Sequence, residues 1–94
     1  MVKVLFKGPL KKSVGFRDLE LEGGHLGLIL ERISEELGVS FQIVGEKIYM
    51  KVNAAGVDAK FMISIFYNGK NVMTEGIKNF EKGTLEMITP IGGG

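Results

Sequence analysis

His25-Leu26-Gly27-Leu28-Ile29-Leu30-Glu31-Arg32-Ile33-Ser34-Glu35-Glu36-Leu37 is the one stretch of this chain with a clear helical period. Leu26, Ile29, Leu30, Ile33 and Leu37 fall on one face, and Glu31, Arg32, Glu35 and Glu36 lie opposite, which predicts an amphipathic helix over residues 25–37. Gly38 supplies the stop signal, and Gly23-Gly24 breaks the chain ahead of the helix. A helix with one apolar face has to bury it against a second layer, and the flanking segments read as the strands of that layer.

Upstream, Val2, Val4 and Phe6 alternate with Lys3, Leu5 and Lys7, a period of two that predicts a strand with one buried face. Gly8-Pro9 turns the chain, and residues 16–22 alternate again, so these two segments make a first hairpin. Downstream, residues 39–45 read ambiguously. Ile48, Met50 and Val52 then alternate with Tyr49 and Lys51, residues 53–58 read as a turn, and residues 61–67 alternate strongly. Asn68-Gly69 signals a tight hairpin turn into residues 70–74. Residues 75–83 read as a loop with one helical turn, and Leu85 and Met87 mark a last strand that Pro90 ends. The expectation is one α+β domain over residues 1–91, with a mixed sheet of four to five strands and one main helix packed across it.

Composition narrows the function classes. A chain of 94 residues suits one compact domain, and 45% hydrophobic residues without long charge blocks are enough for a core. Twelve basic and 11 acidic residues leave a formal charge of +1, so nothing electrostatic points to a nucleic-acid or membrane partner. The apolar runs are too short to span a bilayer and the start is no signal peptide, so a cytoplasmic location is expected. With no cysteine, disulfides, thiolate metal sites and side-chain sulfur carriage are all excluded.

Residues Thr89-Pro90-Ile91-Gly92-Gly93-Gly94 read as a chemical tail, and the three terminal glycines have no packing role to play. Glycine without a Cβ threads a slot too narrow for other residues and leaves a terminal carboxylate open to attack, while adding nothing to a core. A cloning remnant usually brings serine, a protease-site stub or a histidine run, none of which is present. The expectation is a flexible tail, 92–94, whose use is covalent. Acyl-adenylation would turn the Gly94 carboxyl into a group that sulfide or an amine attacks.

Three stretches carry a resemblance to a known family. They are Val2-Lys3-Val4-Leu5-Phe6, then Phe66-Tyr67-Asn68-Gly69-Lys70-Asn71-Val72, and the ending from Phe80-Glu81-Lys82-Gly83-Thr84 through Leu85-Glu86-Met87-Ile88 to Thr89-Pro90-Ile91-Gly92-Gly93-Gly94. The chain resembles the ubiquitin-like β-grasp proteins, and more narrowly the family of the molybdopterin-synthase small subunit and the thiazole sulfur carriers. The resemblance implies a β-grasp fold and a carrier that is not itself an enzyme. Gly93 and Gly94 match the family's functional diglycine, with Gly94 the site of adenylation and thiocarboxylation. It implies two partners, a ubiquitin-activating-like adenylyltransferase that uses ATP and the large subunit of molybdopterin synthase, and no stably bound cofactor. The expected partner surface comprises Leu5, Met62, Phe66, Ile88, Pro90, Ile91 and Gly92. Sulfur transfer for tRNA thiolation or thiazole synthesis, and conjugation to target lysines as a ubiquitin-like modifier, are the alternatives. A noncovalent β-grasp interaction domain is a further one.

The chain departs from the family where Thr89-Pro90 replaces a Pro-Pro, Ile88 replaces an aromatic before it, and Lys7 replaces an aromatic after Phe6. Alternation independently puts Leu5, Met62, Phe66 and Ile88 on the sheet face opposite the helix. A contiguous apolar patch there would mark an interface; scattered single residues, or burial under residues 39–58, would not. His25 is the lone histidine and reads as an exposed residue at the helix start, without companions for a metal site or a catalytic dyad. Gly23-Gly24-His25-Leu26-Gly27 lacks the lysine and hydroxyl residue of a phosphate loop, and the five methionines read as packing residues.

Overall fold

The computed structural model describes residues 1–12, 15–54 and 56–89. In chain order the elements are β1 (Val2–Lys7), α1 (Pro9–Lys12), β2 (Leu19–Leu21), β3 (Gly24–His25), α2 (Leu26–Leu37), β4 (Ser40–Val44) and β5 (Lys47–Ala54). Then follow β6 (Val57–Tyr67), β7 (Lys70–Asn71), α3 (Val72–Glu75), β8 (Asn79–Phe80) and β9 (Gly83–Ile88). Among the described residues, seven strands form one mixed sheet in the order β2-β1-β9-β6-β5-β4, with β7 paired to β6, and β3 pairs β8 apart from it.

The centre of that sheet joins the two ends of the chain. β1 runs parallel to β9, from Val2 opposite Gly83 to Lys7 opposite Ile88, and antiparallel to β2. A parallel pair needs a crossover, and here everything between β1 and β9 supplies it. Alternation sends Val2, Val4 and Phe6 from β1 and Leu85 and Met87 from β9 into the interior, all at most 1% exposed. Ile63 and Ile65 of β6 and Ile48, Met50 and Val52 of β5 continue the buried layer.

Helix α2 closes that layer with Ile29, Leu30 and Ile33, the apolar positions read from the sequence. Each fully buried aliphatic side chain contributes about 1.5–3 kcal/mol relative to exposure, so this one face accounts for most of the helix's stability. His25 caps its start: Leu28 N–H donates to His25 Nδ1 at 3.2 Å. Gly38 ends it at φ 68°, in the left-handed region, and donates its N–H to the Ser34 carbonyl at 2.8 Å.

Four expectations need correction. The sheet has seven strands rather than four to five, because β4 pairs β5 at its edge and the short β7 pairs β6. β4 pairs β5 from Ser40 opposite Lys51 to Val44 opposite Lys47 across the two-residue turn Gly45-Glu46, where Gly45 takes φ 62°. Four of the five β4 residues are exposed and only Phe41 packs against the core, so the strand buries little of its one apolar face. The expected turn over 53–58 is mostly strand, since β5 runs to Ala54 and β6 starts at Val57.

Residues 70–74 are not a strand throughout. Asn71 Oδ1 accepts the N–H groups of Met73 and Thr74, both at 3.1 Å, and this cap turns the chain into α3 after two strand residues. The segment expected over 16–22 pairs only across Leu19–Leu21. The tail, 92–94, lies outside the described residues.

Candidate functional site

Register assigns faces to the outer side of the sheet, because residues directly opposite each other in a ladder point the same way. Leu5, Glu86, Phe66 and Asn71 form one row across β1, β9, β6 and β7. Lys7, Ile88 and Ser64 form the next. Met62, Tyr49 and Gln42 lie in a further row, followed by Lys60, Lys51 and Ser40. All of these stand on the face opposite α2.

The four described members of the expected partner surface therefore share one face. Leu5, Phe66 and Ile88 are half-buried and Met62 is 42% exposed. They do not form an unbroken apolar patch. Glu86 stands between Leu5 and Phe66, and it pairs with Lys7 at 3.3 Å, with both side chains partly exposed. An exposed pair of this kind is worth about 0–1 kcal/mol, so it adds polarity to the face more than stability. The β4–β5 hairpin joins the sheet by the pairing of β5 to β6.

Lys7 and Ile88 are direct cross-strand neighbours. The two positions where aromatic residues were expected from the resemblance thus fall on one pair, at the end of the sheet where β9 stops. Thr89, the last described residue, is 8% exposed, and its Oγ1 has no hydrogen-bond partner among the described residues. The other expected site residues, Pro90, Ile91, Gly92, Gly93 and Gly94, lie outside the described residues.

The start of β9 is held from two sides. Asn68 donates its backbone N–H to the Thr84 carbonyl and accepts the Thr84 N–H on Oδ1, both at 3.0 Å. The Tyr67 hydroxyl donates to the Lys82 carbonyl, and the Tyr67 ring meets Phe80 edge-on at 4.9 Å between centroids. These contacts set where β9 begins against β1 and so where Thr89 emerges.

Sequence reasoning missed the basic part of this face. Lys60 Nζ lies 4.6 Å from the centroid of the Tyr49 ring, with Lys51 opposite Lys60 in the ladder. The alternation of β5 already separated Tyr49 and Lys51 from Ile48, Met50 and Val52; Lys60 was hidden because the strand β6 starts four residues before the expected one.

Among the described residues no group of three or more His, Asp or Glu side chains is placed to hold a metal ion. A shallow cleft of about 470 Å³ lies over the start of β4 and the β5–β6 ladder, where Asn53 Nδ2 donates to Asp58 Oδ1 at 2.6 Å. No helix among the described residues is long and apolar enough to cross a membrane.

The class defined by these observations is a small α+β protein built on a mixed sheet. Comparison with known proteins found no matching family model, no similar curated protein and no similar solved structure.

Proposed function

We propose that this chain is a β-grasp sulfur carrier that delivers sulfur from a Gly94 thiocarboxylate, with molybdopterin synthesis as its destination and its own role that of small subunit to a synthase. The reading rests on the resemblance of the three quoted stretches. The single structural observation that supports it is the central parallel pair: the last strand, β9, lies beside β1, flanked by the β1–β2 hairpin and covered by α2. That is the strand arrangement a β-grasp fold requires.

The chemistry requires Gly94 to carry a free α-carboxylate. In the first step a carboxylate oxygen attacks the α-phosphorus of ATP in the partner adenylyltransferase, and pyrophosphate leaves. In the second a hydrosulfide equivalent attacks the acyl carbon, AMP leaves with the bonding electrons, and the thioacid loses its proton to become the thiocarboxylate. Glycine at 93 and 94 presents no side chain to either attack. The face bearing Leu5, Phe66, Ile88 and Met62 docks on the partner, and the reacting carboxyl is thereby separate from the docking surface.

Gly94→Phe tests the proposal. The variant is expected to lose sulfur loading in the presence of the activating enzyme, ATP and a sulfur source, while its thermal unfolding midpoint matches the wild type. Normal loading of the variant would refute the reading.

A further inference from the structure

The two edges of the sheet are unlike. On one side β2 is three residues long and carries Glu20, a short charged edge of the kind that resists pairing. On the other, β4 is five residues long with the sequence Ser-Phe-Gln-Ile-Val, and it holds no charge and no proline. Ile43 and Val44 are 47% and 53% exposed, among the most exposed large hydrophobic side chains of the described residues. A strand with free backbone groups and this composition is a template for another strand.

The hairpin turn decides which backbone groups are free. The two-residue turn Gly45-Glu46 makes Val44 and Lys47 a hydrogen-bonded pair, and pairs along an antiparallel ladder alternate. Gln42 with Tyr49 and Ser40 with Lys51 are therefore hydrogen-bonded inward to β5. The N–H and C=O groups of Phe41 and Ile43 point to the open edge.

We propose that β4 pairs antiparallel with β4 of a second copy of this chain, on a two-fold axis at Gln42. That register sets Phe41 opposite Ile43 of the second copy and Ile43 opposite its Phe41, so the residues with free backbone groups meet and each pair exchanges both hydrogen bonds. Phe41 and Ile43 stand symmetrically about Gln42, so a second copy supplies both halves of the match, as an isologous contact requires. The side chains agree. Phe41 and Ile43 lie on the helix side, where α2 leaves an open groove of about 350 Å³ lined by Gly27, Leu30, Glu31 and Ser34 together with them. Pairing stacks an aromatic against a β-branched residue along that groove from each copy, a favoured cross-strand combination. A formal charge of +1 per chain leaves little repulsion between copies.

The strand spans about 17 Å, and so short a contact belongs with interfaces below about 1,200 Å², which are weak. The dimer is therefore concentration-dependent. Sedimentation of the full chain from micromolar to millimolar concentration is expected to show the mass rising from 10.3 kDa toward twice that value. Ile43→Lys, a charge on an exposed edge position, is expected to remain at the monomer mass with an unchanged circular dichroism spectrum. Amide exchange provides the register: the Phe41 and Ile43 N–H groups slow at least about tenfold on concentration, whereas Gln42 is protected throughout. A wild type that is monomeric at millimolar concentration overturns the proposal. So does a dimer that Ile43→Lys leaves intact, or one whose Phe41 and Ile43 amides do not respond.

Discussion

Replacing Asn68 with alanine probes how the entry to β9 is held. Asn68 is the one described non-glycine residue at positive φ, 48°, and with Gly69 at 86° it forms the tight turn between β6 and β7. Its Oδ1 also accepts the Thr84 N–H at 3.0 Å. Alanine in the left-handed region costs about 1 kcal/mol. The lost hydrogen bond adds about 0.5 kcal/mol, the low end of its range, because water reaches the freed N–H. The sum of about 1.5 kcal/mol corresponds to a Tm lower by about 6–12 °C for a domain of this size. Asn68→Gly keeps the backbone conformation and loses only the side-chain bond, so it is expected to cost about 0.5 kcal/mol. Thermal and urea unfolding of the three proteins, followed by circular dichroism, measures both numbers. Equal destabilisation by alanine and glycine would show that backbone conformation is not what Asn68 contributes, and an alanine variant as stable as the wild type would refute the reasoning outright.

Ile33→Ala empties a fully buried position between α2 and the sheet and is expected to cost about 2–5 kcal/mol, read from the urea midpoint at constant m-value. His25→Ala removes the acceptor that caps α2 and is expected to cost about 0.5–1 kcal/mol, with His25→Ser recovering most of it in the same unfolding experiment. Phe66→Asp and Ile88→Asp place charge on the half-buried outer face; both are expected to fold and to lose binding to the activating enzyme in a titration, whereas wild-type affinity would remove that face from the docking surface.

The parts of the fold that bury one face were legible in the sequence. Val2, Val4 and Phe6 in β1, Leu85 and Met87 in β9, and Ile29, Leu30 and Ile33 in α2 each announce their interior side by period alone. β4 was illegible because its signal is short: the alternation Ser40-Phe41-Gln42-Ile43 is broken by Val44, and within the strand only Phe41 packs against the core. The end of β7 was decided by local chemistry, because the Asn71 side chain captures two backbone N–H groups and favours a helical turn over more strand. At the candidate site, alternation put Leu5, Met62, Phe66 and Ile88 on one face, but only the register between distant strands reveals Glu86 between Leu5 and Phe66 and Lys7 beside Ile88. Parallel pairing of β1 with β9 is a long-range contact, and no local pattern encodes it.

The central claim concerns one atom, an oxygen of the Gly94 carboxylate. The direct measurement is the intact mass of the full chain after incubation with ATP, a sulfur source and an activating adenylyltransferase shown to be active. A mass increase equal to the difference between one sulfur and one oxygen is expected, abolished when Gly94 is removed. A chain that is adenylated but never takes sulfur, or one whose mass does not change at all, would contradict the claim.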